Sequence, residues 1–140
     1  MSTPSSLPTE ALLVVDDEVQ VLSLVAELLR AQGYLVLSTW DPDEAVRLAR
    51  AHTGPIQLLL TDLVMPTLTG QELATEIRAI HPNMKVLFMS AYSIEIAEDY
   101  KVRLAPGEPF LAKPFSITDL QRTVRDALDY EPPSSLRQTQ

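Results

Sequence analysis

Two apolar runs in this chain end in acid. Ile56-Gln57-Leu58-Leu59-Leu60-Thr61 stops at Asp62, and Ala11-Leu12-Leu13-Val14-Val15 stops at Asp16-Asp17-Glu18. Short runs rich in Leu, Ile and Val, bounded by turn residues, read as strands buried on both faces. The carboxyl ends of such strands form the edge where open α/β sheets bind ligands. If both strands are neighbours in one sheet, Asp16, Asp17 and Asp62 share one crevice. Clustered carboxylates raise one another's pKa unless a cation joins them. Oxygen donors with no His or Cys beside them suit Mg²⁺, which keeps part of its water shell and uses one or two carboxylates plus phosphate oxygens. A plainer reading of Asp16-Asp17-Glu18 is a helix cap followed by first-turn acids favoured by the helix dipole. The acid at Asp62 favours the crevice, although the same residues could also cap a helix.

Two further strand ends carry complementary groups. Val86-Leu87-Phe88-Met89 leads into Ser90, and Pro109-Phe110-Leu111-Ala112 leads into Lys113-Pro114. A hydroxyl and an ammonium beside carboxylates that can hold a metal make a pocket for an anion such as a phosphoryl group. Alone, Ser90 reads as a turn residue and Lys113 as a solvated surface charge. Four strand ends with matching chemistry argue for a site.

The elements that position these groups alternate along the chain. Val19, Leu22, Val25, Ala26, Leu28 and Leu29 recur at helical spacing after the first strand, with Gly33 as the C′ residue. Tyr34–Thr39 reads as strand two. Asp41-Pro42-Asp43-Glu44 opens the second helix, with Asp41 at the N-cap, Pro42 at N1 and Glu44 at N3. The third helix begins at Gly70, turns Leu73, Ala74, Ile77 and Ile80 inward and ends before Pro82. The segment 94–104 has weak helical signals and alternating charge. Ser116-Ile117-Thr118-Asp119 opens the last helix, with Leu120, Val124, Ala127 and Leu128 inward. Five strand–helix units imply a parallel sheet covered on both faces. The expected fold class is an α/β, flavodoxin-like, doubly wound (βα)5 sandwich with strand order 2-1-3-4-5, which makes strands one and three neighbours.

Composition sets limits. With 140 residues, one domain is expected, covering about 10–130; the Ser/Thr/Pro-rich ends, 1–9 and 131–140, read as disordered tails. A net charge of −8 argues against binding nucleic acid or an anionic membrane. Without cysteine there is no disulfide and no thiolate metal site. The chain start lacks the order of a signal peptide, and no run is long enough to span a bilayer, so a cytoplasmic location is expected.

The residues now quoted, Val14-Val15-Asp16-Asp17-Glu18, Leu60-Thr61-Asp62-Leu63-Val64-Met65-Pro66 with Gly70, Met89-Ser90-Ala91 and Phe110-Leu111-Ala112-Lys113-Pro114-Phe115, together resemble a two-component response-regulator receiver domain. The resemblance covers about 10–130. It implies that Asp62 is the phosphoacceptor and forms an aspartyl-phosphate. It implies Mg²⁺ (Mn²⁺ substituting) held by Asp17, Asp62 and the backbone carbonyl of Val64, with Asp16 acting through water. It further implies that Lys113 contacts a phosphoryl oxygen before a cis bond to Pro114, that Ser90 moves toward the phosphoryl group, and that Phe110 is an aromatic switch. The donor would be a histidine kinase or a histidine phosphotransfer protein, and the output face the stretch 94–128, offered to a downstream protein by a monomer or weak dimer. Such a protein is no enzyme beyond its own phosphorylation and dephosphorylation. Met89–Ser93 and Phe110–Phe115 look more like receivers of hybrid histidine kinases than like those of transcription factors, although a stand-alone receiver fits as well.

Two alternatives bear on the same residues. A pseudo-receiver would use the fold for binding alone, but usually lacks one of the five residues Asp16, Asp17, Asp62, Ser90 and Lys113. A metal-dependent phosphatase with an aspartyl nucleophile would carry a second Asp at the place of Val64. Val64 offers no polar group to orient water, and bulky Tyr92 could shield the phosphoryl group, so a long-lived phosphorylated state is expected.

Overall fold

The computed structural model describes residues 9–91 and 108–131. In order these form β1 (Ala11–Val15), α1 (Val19–Ala31), β2 (Leu35–Thr39), α2 (Pro42–Ala51), β3 (Leu58–Asp62), α3 (Gly70–Arg78), β4 (Lys85–Ser90), β5 (Phe110–Ala112) and α4 (Ile117–Asp129). The five strands make one sheet in the order β2-β1-β3-β4-β5, every pair parallel. This is the expected flavodoxin-like topology. The segment 94–104 and both tails lie outside the described residues, apart from Thr9 and Glu131.

The strand period of two decides which residue serves which face. Leu12, Val14, Leu58 and Leu60 point to one side, where α1 and α4 cover them with Leu22, Val25, Leu29, Leu120 and Val124. Leu13, Val15 and Leu59 point to the other, where Ala45 and Ala49 of α2 and Leu73 and Ile77 of α3 close the layer. All five residues of β1 and of β3 are buried, as the continuous apolar runs require.

Local chemistry sets the helix ends. Gly33 has φ 102, a conformation that suits glycine, and α1 stops there. The Gly33 N–H donates to Arg30 and the Tyr34 N–H to Leu29, the two bonds of a Schellman ending. Tyr34 is thereby used in the turn, so β2 begins one residue later than its pattern suggests. Asp41 caps α2 by accepting the Asp43 N–H at 3.0 Å. Glu44 does not reach back to that cap; its carboxylate accepts from the Thr39 hydroxyl instead. Thr69 and Glu72 form a full capping box on α3. That helix ends at Arg78, so Ile80, expected within it, packs against the core from the turn that follows. Ser116 and Asp119 form a second capping box at the start of α4. Residues Ile56 and Gln57 precede the assigned strand β3, yet Gln57 already exchanges backbone bonds with Ala11 and Lys85.

Candidate functional site

The site stands on the carboxyl ends of β1, β3, β4 and β5. Asp16 and Asp17 follow β1, Asp62 is the last residue of β3, Ser90 is the last of β4, and Lys113 follows β5. Because β3 pairs with β1 on one side and β4 on the other, the topology brings these groups to one edge. The backbone fixes the rims: Leu63 N–H donates to Met89 at 2.8 Å, and Lys113 N–H donates to Ser90 at 2.8 Å. The chain leaves Asp62 through a tight turn, Val64 bridging to Thr69 and Met65 N–H donating to Leu68 at 3.2 Å. Gly70 then passes directly over the strand end; a Cβ there would collide with the Asp62 backbone oxygen and press on the Thr61 side chain. This explains the glycine at that place: β3 and the start of α3 touch backbone to backbone.

Asp16, Asp17 and Asp62 each present a carboxylate oxygen, and the three oxygens lie within 4.8 Å of one another. Asp16 and Asp62 are buried and Asp17 is exposed. Lys113 Nζ reaches into the cluster, 2.8 Å from Asp16 Oδ2, 3.6 Å from Asp62 Oδ2 and 2.6 Å from Glu18 Oε1. Asp16 Oδ1 accepts the Glu18 N–H at 2.8 Å. Asp16 Oδ2 is buried and meets Lys113 Nζ at 2.8 Å as a charge contact, with no aligned hydrogen bond among the described residues.

The electrostatics follow from crowding. Burial pushes the Asp62 carboxyl up from 3.8 to about 7; Lys113 opposes this, while Asp16 and Asp17 add to it. Burial also raises Asp16, offset in part by Lys113 and the Glu18 N–H. For Lys113 burial acts downward, but its carboxylate neighbours Asp16 and Glu18 outweigh it and the ammonium is held above its usual range. Three carboxylates with no His or Cys among them, two of them buried, fit a hard divalent cation.

Asp16, Asp17, Asp62, Ser90 and Lys113 stand at this edge, whereas Phe110 is the first residue of β5 and lies away from it. Ser90 is buried. Val64 is half-buried in the turn after Asp62. Phe110 is half-buried against the α2–α3 face of the core. The Lys113–Pro114 bond is cis. Tyr92 lies outside the described residues. Helix capping by the acids after β1 does not occur: Glu18 occupies the N-cap of α1 but gives no side-chain cap, and no acid lies in the first turn. Sequence reasoning missed its contact with Lys113, which spans 95 residues of chain. Two hollows flank the cluster. One of ≈ 380 Å³ runs between Glu18, Val21 and Leu24 of the α1 end and Lys113, Pro114 and Phe115. The other, ≈ 370 Å³, lies between Asp17, the exposed Trp40, Asp43 and Pro66.

A doubly wound parallel sheet with an acidic cluster and a lysine at its switch point defines the CheY-like class of α/β proteins. The model of the response regulator receiver domain matches residues 12–125, and the chain belongs to that family, the receiver domains of two-component systems. It is 34% identical over 120 residues to the sensor kinase CckA of Brucella abortus, covering 84% of this chain and 12% of the kinase. It is 30% identical over 117 residues to the probable transcriptional regulatory protein TcrX of Mycobacterium tuberculosis, covering 83% of this chain and 48% of that protein. The chain thus spans less than half the length of these two relatives. Among solved structures it is similar to the receiver domain of the hybrid histidine kinase CckA, with a TM-score of 0.69 and 36% identity over 84% of this chain and 98% of that one. The chemotaxis protein CheY4 of Vibrio cholerae shares the fold, with a TM-score of 0.71 at 22% identity, covering 86% of this chain and 99% of that one.

Proposed function

We propose that this chain is a phosphorylatable signalling switch with Asp62 as the phosphoacceptor. The observation that carries this is the meeting of Asp62 with Asp16, Asp17 and Lys113 at one sheet edge, where the acids crowd and a cation is close at hand. A carboxylate oxygen of Asp62 attacks the phosphorus of a phosphohistidine on a histidine kinase or phosphotransfer protein. The P–O bond to Asp62 forms as the P–N bond breaks, and the imidazole keeps the electron pair. Asp16, Asp17, Asp62 and the Val64 carbonyl would hold Mg²⁺, which when bound neutralises the carboxylates and screens the incoming phosphoryl oxygens. Lys113 orients one phosphoryl oxygen as a point charge, and Ser90 donates its hydroxyl to another. The added charge then biases the β5–α4 side, with Phe110 as the aromatic reporter, and a downstream protein reads that change.

Incubation with acetyl phosphate and Mg²⁺, followed by intact mass, tests this. The wild-type protein is expected to gain one phosphoryl group and Asp62→Ala none. Continuous turnover of the donor without a stable adduct would favour a phosphatase, and no gain at all would favour a binding module. The apolar Val64 leaves no side chain to orient water, so the adduct is expected to outlast many minutes; its loss within seconds in Mg²⁺ would contradict that.

A further inference from the structure

Among the described residues Lys113 faces three carboxylates, and the nearest is not in the acidic cluster. Glu18 Oε1 lies 2.6 Å from Nζ, against 3.6 Å for Asp62 Oδ2. Glu18 sits at the N-cap of α1, yet its side chain ignores the helix and its backbone N–H is tied to Asp16 Oδ1. Its carboxylate is thus committed to Lys113 alone among the contacts of the described residues. We propose that Glu18 is a positioning residue that holds the Lys113 ammonium away from Asp62 and yields it when a phosphoryl oxygen enters the crevice. This rests on the phosphoacceptor reading of Asp62.

Exposure decides which partner yields. The Asp16 side chain is 0% exposed and cannot regain water if Lys113 leaves, so that contact is costly to break. The Glu18 side chain is 60% exposed, and its carboxylate is solvated as soon as it is released. An incoming phosphoryl oxygen therefore displaces Glu18 and leaves Asp16 in place. Glu18 competes with the phosphoryl group for one cation and sets a threshold on phosphorylation.

The test compares wild type, Glu18→Gln and Asp43→Asn. Asp43 lines the hollow beside Asp17 and is not among the acids that meet Lys113, so Asp43→Asn reports the effect of simply removing a nearby charge. With Mg²⁺ saturating, initial phosphorylation rates are measured over a range of acetyl phosphate concentrations. Glu18→Gln is expected to raise the second-order rate roughly two- to fivefold over Asp43→Asn, the effect of releasing a partly exposed ion pair, mainly through a lower apparent KM for the donor. In metal-free protein, acylation of Lys113 by an amine-reactive ester, read by peptide mass, is expected to quicken in Glu18→Gln only. A wild type that takes up no phosphoryl group overturns both readings. A wild type that is phosphorylated, with Glu18→Gln indistinguishable from Asp43→Asn in both measurements, overturns this one alone.

Discussion

Asp62 carries a contradiction between burial and charge. Its carboxyl is raised to about 7 by burial and by Asp16 and Asp17. In the metal-free protein the fold keeps a proton that the unfolded chain releases near 3.8. The folded state is favoured by this group fully below about pH 4, progressively less as pH rises, and not at all above about pH 7. Asp62→Asn has no such proton to lose. Wild type is therefore expected to lose roughly 1–3 kcal/mol relative to Asp62→Asn between about pH 5 and about pH 8. Urea unfolding in a chelator checks it; parallel pH profiles for the two proteins would rule it out. Asp62 was legible because an acid ending a run of leucines has few structural excuses. Glu18 was not, because an acid at a helix start has an ordinary excuse in the helix dipole. Only the fold reveals that its side chain turns to a lysine 95 residues away.

Among the elements, the junction of β3 and α3 is the tightest. Gly70→Ala places a methyl group against the Asp62 backbone oxygen and Thr61. It is expected to cost roughly 1–3 kcal/mol, as over-packing does, and to slow phosphorylation by shifting the strand end. Gly33→Ala is the contrast. It meets open space but must keep φ +102, so it costs about 1 kcal/mol of backbone strain and leaves phosphorylation unchanged. Urea midpoints together with adduct formation separate the two. Every described element was legible, the strands as short apolar runs between turn residues and the helices by the spacing of their apolar faces. Legibility was weaker at the ends, where side chains choose among partners. Glu44 sat where a capping box needs it, but its carboxylate accepts from the Thr39 hydroxyl instead. The Thr69-Gly70-Gln71-Glu72 box follows the S/T-x-x-E pattern and was readable, yet Gly70 alone had drawn notice.

At the scale of the whole molecule, the proposed Mg²⁺ site would couple the acidic cluster to folding. An ion held by the folded carboxylates and not by the unfolded chain would add stability by mass action, about 2.7 kcal/mol at a hundredfold excess over its dissociation constant. A melting temperature that rises with Mg²⁺ in wild type and much less in Asp17→Asn is the expected result; an equal rise in both would place the ion elsewhere. Topology was legible because five strand–helix alternations leave few right-handed solutions. Among the described residues no helix is long and apolar enough to cross a membrane. The parallel sheet also separates two kinds of traffic. Asp16, Asp17, Asp62, Ser90 and Lys113 stand at the carboxyl ends of the strands, whereas residues 9–10 and 130–131 lie toward the amino ends. Glu10, just before β1, is clasped by Arg125 of α4 at 3.0 Å, and Glu131 lies 3.7 Å from Lys85, the first residue of β4. A fluorophore, a surface anchor or a fused domain attached at either margin would hang from the far side of the molecule. On the phosphoacceptor reading proposed above, a phosphodonor would meet the crevice from the side opposite either attachment.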